Sequence, residues 1–309
     1  MKVIRDIGLF PELPFAVVTS GTFDGVHVGH QKIIERLILR ARQSGGQSVV
    51  VTYWPHPRLV LTGDQGSPRL LSTIEERIEQ LSKYPIDYLL IIPFTPAFAE
   101  LDRAHYVQQI LVETLHTKVL IIGYDHRFGK NRAGSLAYLQ EHTREFGFEV
   151  EEIPAQDIDQ IAVSSTRIRQ ALEKGDVATA TTYLGHPYSL KGLVVHGKKL
   201  GRTLGYPTAN LAVSDPHKLI PAQGIYAVRV EVGGMLLGGM LSIGTNPTVN
   251  GTSQTIEVYI FDFDQDIYDQ TITLYFVAYI RAEEKFSGLD ELTAKLKEDQ
   301  IAALALLKA

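Results

Sequence analysis

The ten residues GTFDGVHVGH, 21 to 30, stand between the apolar run FAVVTS (15–20) and the helix-like segment QKIIERLILRAR (31–42). In a parallel α/β sheet, ligands bind beyond the carboxyl ends of the strands, where the first strand turns into the first helix. Gly21, Gly25 and Gly29 remove side chains where backbone must approach a bulky group. The helix that follows offers unpaired N–H groups and the positive end of its dipole, so the corner suits a phosphate. The spacing His27-x-Gly-His30 sets two imidazoles at the helix mouth, where they can donate hydrogen bonds to phosphate oxygens as charge builds on them. An isolated HxGH reads equally as a glycine-rich turn with surface histidines, so the flanking context has to decide.

Outward from the corner, FAVVTS, SVVVTY, DYLLII, KVLIIG and FEVEEI alternate with amphipathic segments up to about residue 155, the rhythm of a parallel sheet covered by helices. Ile33, Ile34, Leu37, Ile38 and Ala41 recur at helical spacing after the corner, and Ser72 with Glu75 reads as a capping box opening another helix. Near YLGHPYSLKG the character changes, which places an α/β domain over 1–185 and a second domain over 186–309. In the second, Tyr226, Val228, Val230 and Val232 alternate with Ala227, Arg229 and Glu231, and Gly233-Gly234 follows as a two-residue hairpin turn. Ile272, Leu274, Phe276, Ala278 and Ile280 are expected on one side of a later strand, and six such segments suggest a small closed antiparallel barrel. Leu289, Leu292, Leu296, Ala303 and Leu307 make the stripe of a final helix, which would serve a homo-oligomer interface as well as an intramolecular face.

A formal net charge of −5 gives no basic surface of the kind that wraps nucleic acid. The absence of cysteine excludes disulfides, thiol nucleophiles and cysteine-based zinc sites, and fits a reducing compartment. MKVIRDIGLFPELP lacks the apolar core of a signal peptide and runs such as YLLIIPF are too short to span a bilayer, so a soluble cytoplasmic protein is expected.

The corner resembles the nucleotidyltransferase superfamily marked by HxGH, and its longer form resembles the N-terminal module of bacterial bifunctional riboflavin kinase/FMN adenylyltransferases. YWPHPRLVL (53–61) is similar to that family's Pro-His-Pro loop, GYDHRFGKNRAGS (123–135) to its flavin-contacting segment, and SSTRIR (164–169) to its Ser-Ser-Thr-x-Ile-Arg motif. The resemblance implies ATP contacts at Gly21, Phe23, Asp24, Gly25, His27, His30, Ser164, Ser165, Thr166 and Arg167. It implies FMN contacts at Pro55, His56, Pro57, Asp125, Arg127, Phe128 and Arg132. Read by themselves, SSTRIR is a helix cap and the two arginines a solvated loop. His126 stands where the family usually has phenylalanine.

GLVVHGKK (192–199) nearly spells a P-loop, but Lys199 replaces the hydroxyl residue that magnesium needs, and LVVH reads as a strand with no helix after it. KGLVVHGKKLGRTLGYPTANL (191–211) instead resembles the riboflavin kinase signature, in which a glycine-rich loop covers ATP and PTAN coordinates Mg2+. On a strand Thr208 and Asn210 point to the same side and offer one hard cation two neutral oxygens. The resemblance implies ATP contacts at Gly197, Lys198, Gly201, Gly205, Pro207, Thr208 and Asn210, with Thr208 and Asn210 as metal ligands. IEVYIFDF (256–263) resembles the strand bearing the catalytic glutamate. Glu257, sharing a face with Tyr259 and Phe261, reads as a plain edge charge or as a desolvated general base with a raised pKa, and the resemblance implies the second. The family commonly has histidine at Tyr259, and of YIRAEEKF only Arg281 is carried as a flavin contact.

The resemblance implies phosphorylation of riboflavin by ATP to FMN, then adenylylation of FMN by ATP to FAD. Two other readings stay open at this stage: a single-activity nucleotidyltransferase whose barrel only binds flavin, and a non-catalytic flavin-binding protein.

Overall fold

The structure is a computed structural model that describes residues 1–63, 68–123, 127–153, 163–197, 200–248 and 251–308. It divides into two compact units, Met1–Ser165 and Thr166–Ala309.

The first unit is built on six parallel strands, β1 (Lys2–Ile4), β2 (Ala16–Ser20), β3 (Gln47–Trp54), β4 (Tyr88–Pro93), β5 (Thr117–Gly123) and β6 (Glu149–Ile153), in the order β1-β4-β3-β2-β5-β6. The five expected strands are all present; β1, too short to show a period, adds an edge beside β4. Continuous apolar runs form these strands because both faces are covered. Val18, Val49, Val51 and Leu120 enter the core on one side, and Val17, Val50, Val119 and Ile121 the core on the other. The chain runs from β2 outward to β3 and β4, then returns to β5 on the other side of β2. That reversal opens the crevice of a parallel sheet at the carboxyl end of β2, where the glycine-histidine corner sits.

Helix α1 (Val28–Gln43) leaves the corner and buries Ile34, Leu37, Ile38 and Ala41, while Arg36 pairs with Glu151 and Arg40 with Glu149 on β6. Helix α2 (Pro57–Thr62) follows β3, and helix α3 (Ile74–Leu81) precedes β4. The capping box of α3 is not Ser72 with Glu75 but Thr73 with Glu76. The Thr73 hydroxyl accepts from Glu76 N at 3.1 Å and the Glu76 carboxylate from Thr73 N at 3.0 Å. Ser72 lies one residue outside because its hydroxyl is engaged with the corner.

The second unit is a closed antiparallel barrel of β7 (Ser189–Val195), β8 (Thr208–Ala212), β9 (Gly224–Val232), β10 (Met235–Thr248), β11 (Gly251–Ile260) and β12 (Thr271–Arg281), ordered β10-β11-β8-β7-β12-β9. Gly233 and Gly234 both take positive φ, 56° and 79°, as a tight hairpin between β9 and β10 requires. The alternation expected of β12 holds only to Phe276. A register shift between Phe276 and Ala278 then sets Ala278 opposite Ala227 and Tyr279 opposite Tyr226, so Ala278 and Ile280 leave the side that Phe276 occupies. After β7 the chain forms one helical turn, Leu200–Thr203, where no helix was expected.

The helices Ser165–Glu173 and Val177–Leu184 pack with the barrel: Ala222 N donates to Leu172 O at 3.0 Å, and Gly175 lies against the Tyr279 ring. The division by packing therefore falls ahead of the expected boundary at 185. The final helix, Leu289–Lys308, seats Ala303 and Leu307 on Ala227, Met240 and Phe261 with Leu296 partly buried, while Leu289 is exposed and falls outside the stripe. Asp299 of that helix accepts from Arg281 Nε at 2.8 Å and Nη2 at 2.7 Å, a two-pronged pair on a nearly buried carboxylate.

Asp299→Ala strands a guanidinium whose side chain is 15% exposed, although Glu284 stays 3.8 Å away. The barrel should lose about 3 kcal/mol, read as a fall in the urea midpoint at unchanged slope.

Candidate functional site

The corner after β2 is held in a conformation L residues rarely adopt. Phe23, Gly25 and Val26 have φ of 48°, 79° and 42°. The Asp24 carboxylate, 1% exposed, holds it there. It accepts from Leu71 N at 3.0 Å, Ser72 N at 3.0 Å and the Ser72 hydroxyl at 3.3 Å, and that hydroxyl accepts from Gly25 N at 3.0 Å. The Ser165 hydroxyl donates to the Asp24 carbonyl at 3.3 Å, which brings the start of the SSTRIR segment to the same loop. Asp24 is thus a buttress beneath the corner rather than an exposed group on it. A Cβ at Gly21 would crowd the Phe23 ring at 3.3 Å.

His27 is the N-cap of α1, its Nδ1 accepting from His30 N at 3.4 Å. An accepting Nδ1 leaves Nε2 to carry the proton, so Nε2 of His27 is a donor. The two imidazoles stack at 3.6 Å with planes 16° apart, and the Phe23 ring meets His30 edge-on at 5.1 Å. Burial holds the His30 pKa well below the ordinary histidine value, helped by His27 and by the Arg77 guanidinium. Its Nδ1 is buried with no hydrogen-bond partner among the described residues.

The segments expected to contact flavin follow β3 and β5, the two neighbours of β2, at the same edge of the sheet. In the first, His56 is buried and caps α2 by accepting from Arg58 N at 3.2 Å, between Pro55 and Pro57. In the second, Phe128 is buried against Tyr106 and Tyr138, Gly134 lies so close to its ring that a Cβ there would overlap it, and Arg127 is exposed. Asp125, His126 and the Arg132 side chain lie outside the described residues. Ser164, Thr166 and Arg167 are exposed about the start of the Ser165–Glu173 helix.

In the barrel, Asn210 on β8 lies directly across from Glu257 on β11, and Thr208 across from Tyr259. The Thr208 hydroxyl donates to the Glu257 carboxylate at 3.2 Å. Gly197 abuts the Asn210 carboxamide with no room for a Cβ, and a Cβ at Gly201 would strike the Tyr206 carbonyl with the Thr208 hydroxyl 3.4 Å away, so the glycine-rich loop closes onto this cluster. Gly205 takes φ 80° in the turn into β8. Hydroxyl, amide oxygen and carboxylate are the hard oxygen donors that a small divalent cation takes. Lys198 lies outside the described residues, and Pro207 is exposed beside Thr208.

Arg281, expected as a flavin contact, donates to the Asp299 carboxylate through Nε and Nη2. Its neighbour Glu283, passed over in the sequence, sets its carboxylate against Gly244, whose strand partner region faces Glu257 through Ser242. Partial burial and the Glu257 carboxylate push the Glu283 pKa up, while Arg281 opposes them. Tyr259 packs on Tyr206 and Phe261 beneath the final helix, a core position.

Comparison with known proteins divides the chain in the same two parts. Residues 11–167 match the FAD synthetase family model and residues 184–307 the riboflavin kinase model. The bifunctional riboflavin kinase/FMN adenylyltransferase of Haemophilus influenzae is 38% identical, with 94% of each chain covered. The chain belongs to that bifunctional family. The member from Escherichia coli K12 is 36% identical over 98% of this chain and 97% of its own. A crystal structure from Streptococcus pneumoniae, described as a macrolide-efflux protein, superposes with TM-score 0.87 at 33% identity, covering 98% of both chains. No helix among the described residues is long and apolar enough to cross a membrane.

Within this family member the buried neutral His30 has a thermodynamic consequence. The unfolded chain takes up the proton near pH 6.5 and the folded chain resists it, so stability is full above about pH 6.5 and falls as pH drops below it. Thermal melts from pH 7.5 to 5 should show that loss, and His30→Asn should flatten it.

Proposed function

We infer that this chain makes FAD from riboflavin in two transfers, each consuming ATP, with the barrel acting as the kinase and the α/β unit as the adenylyltransferase. What supports this best is that each part matched by a family model contains a cluster equipped for its own transfer: Thr208, Asn210 and Glu257 in one, His27 and His30 on the glycine corner in the other.

In the barrel, Glu257 takes the proton of the terminal ribityl hydroxyl as that oxygen attacks the γ-phosphorus of ATP. The bond from the γ-phosphorus to the bridging oxygen breaks, and FMN and ADP result. Thr208 and Asn210 would hold a divalent cation, Mg2+ in this reading, which would supply neutralisation of charge on the phosphates. Gly197, Lys198, Gly201, Gly205 and Pro207 form the loop over the nucleotide. The Thr208 hydroxyl, now on Glu257, orients that carboxylate.

In the α/β unit, an FMN phosphate oxygen attacks the α-phosphorus of a second ATP and pyrophosphate leaves. The attacking oxygen is already ionised, so no protein base is needed. His27, donating through Nε2, and His30 meet the charge that builds on the α-phosphoryl oxygens, while Ser164, Ser165, Thr166 and Arg167 position the triphosphate. Pro55, His56, Pro57, Asp125, Arg127, Phe128 and Arg132 receive the flavin. The partners of this reading are ATP, riboflavin and FMN in the cytoplasm, with no nucleic acid and no membrane.

The test is chromatographic separation of flavins after incubation with ATP and magnesium. Glu257→Gln should abolish FMN formation from riboflavin and leave FAD formation from supplied FMN within about twofold, and His30→Ala should do the reverse, each loss being at least about 10²-fold. Loss of both activities in either folded variant would refute the division of labour.

A further inference from the structure

Arg77 is fully buried at 0% exposure, and its Nε and Nη2 find no hydrogen-bond partner among the described residues. Only Nη1 is engaged, with the Thr52 hydroxyl at 3.2 Å and the Tyr53 carbonyl at 3.4 Å. A buried guanidinium so poorly paired costs stability that an apolar side chain in the same place would not. Its position shows where that cost is spent. The Thr52 hydroxyl that Arg77 holds donates onward to the Thr22 carbonyl at 3.1 Å, inside the corner. Arg77 also lies on α3, whose approach residues Leu71 and Ser72 grip Asp24. The guanidinium therefore meets the corner along two routes, through Thr52 and through the start of its own helix.

The charged and titratable groups around it are few. Asp24, from the corner, favours the guanidinium electrostatically; His30, stacked on His27, feels its charge; Glu76, its neighbour on α3, receives Thr73 N; and Tyr53 on β3 is kept neutral by burial. Trp54 lies 5.7 Å from the guanidinium carbon. Of these the cation opposes a proton on His30.

We propose that Arg77 is a positioning residue for adenylyl transfer, bracing the Thr22–Phe23 backbone through Thr52 and setting the field in which the His30 imidazole works. The proposal rests on assigning the corner to that reaction. With Arg77 in place His30 presents a neutral ring to the triphosphate. Without the cation, one of the three influences that oppose a proton on His30 is lost and its pKa rises, while burial and His27 still hold it down.

The experiment uses the full chain and two variants that separate the roles. Arg77→Gln keeps a donor for Thr52 and removes the charge, while Arg77→Lys keeps the charge. FAD formation from FMN and ATP is followed from pH 5 to 9, with FMN formation from riboflavin measured beside it. Arg77→Gln should move the acid limb of the FAD-forming profile up by about one pH unit and lower kcat by about 10²-fold at pH 6. Arg77→Lys should leave the limb in place, and kinase turnover should be unchanged in both. An Arg77→Gln protein that melts as a folded chain and keeps the native limb overturns the proposal. Should Arg77→Gln fail to fold, Thr52→Val decides: a fall in kcat for FAD formation with KM and kinase turnover unchanged supports the bracing through Thr52, and native kcat overturns it. If His30→Ala leaves FAD formation intact, the fault lies with the assignment of the corner instead.

Discussion

The carboxylate of Asp24 is the constraint on which the first site depends. Phe23 and Val26 sit at positive φ without being glycine, at a cost of about 1–2 kcal/mol each. Nothing local in the sequence repays that. Hydrogen bonds to a buried carboxylate are worth about 1.5–3 kcal/mol each, and Asp24 receives them from Leu71 N, Ser72 N and the Ser72 hydroxyl. The balance favours the strained corner, and its product is a helix mouth with two stacked imidazoles and no bulky side chain at Gly21, Gly25 or Gly29. An aspartate inside a phosphate-binding corner repels the ligand if it faces outward. Turned inward and saturated with N–H donors, it shapes the site without opposing it.

The barrel reaches the same end by close approach instead of strain. Gly197 and Gly201 let backbone lie directly on the Asn210 carboxamide and the Thr208 hydroxyl, and the pairing of β8 with β11 delivers Glu257 to them. Antiparallel register is what makes this exact enough for chemistry, because a slip of one residue would turn Glu257 into the barrel and Val258 out of it.

Much of this was legible in the sequence, and what was missed has a physical pattern. Continuous apolar runs gave the parallel strands and a clean period of two gave most of the barrel, since both signals come from burial of whole faces. The β12 bulge broke the second rule, because one extra residue at Val277 reverses Ala278 and Tyr279 before a second shift ahead of Arg281. The capping box was read one residue early because Ser72 and Thr73 are both cap formers, and only the long-range bond to Asp24 removes Ser72 from the contest. The pairing of Arg281 with Asp299 left no signal, because Asp299 lies on a helix whose packing the period alone does not give. Arg77 did leave a trace: with Ile74, Ile78 and Leu81 it falls on the buried stripe of α3, and a cation on an apolar stripe is the kind of local inconsistency that marks a working residue.

The two sites differ in how they treat protons, and the difference follows from their nucleophiles. An alcohol must lose its proton to attack, and in the proposed kinase reaction the Glu257 carboxylate, held by the Thr208 hydroxyl, is the group placed to take it. A phosphate monoester is ionised already, so the corner needs only to meet charge that appears during displacement. For that task a neutral imidazole is better than an imidazolium. The triphosphate is highly anionic before reaction begins, and a full positive charge would grip the ground state nearly as firmly as the transition state, which lowers KM without raising kcat. A neutral N–H donor gains most when the oxygen before it becomes more negative. Burial most of all, then the stacked His27 and the Arg77 cation, push His30 toward that form, and a ring kept neutral in this way offers the proposed transfer a hydrogen bond that strengthens as the phosphorus comes under attack.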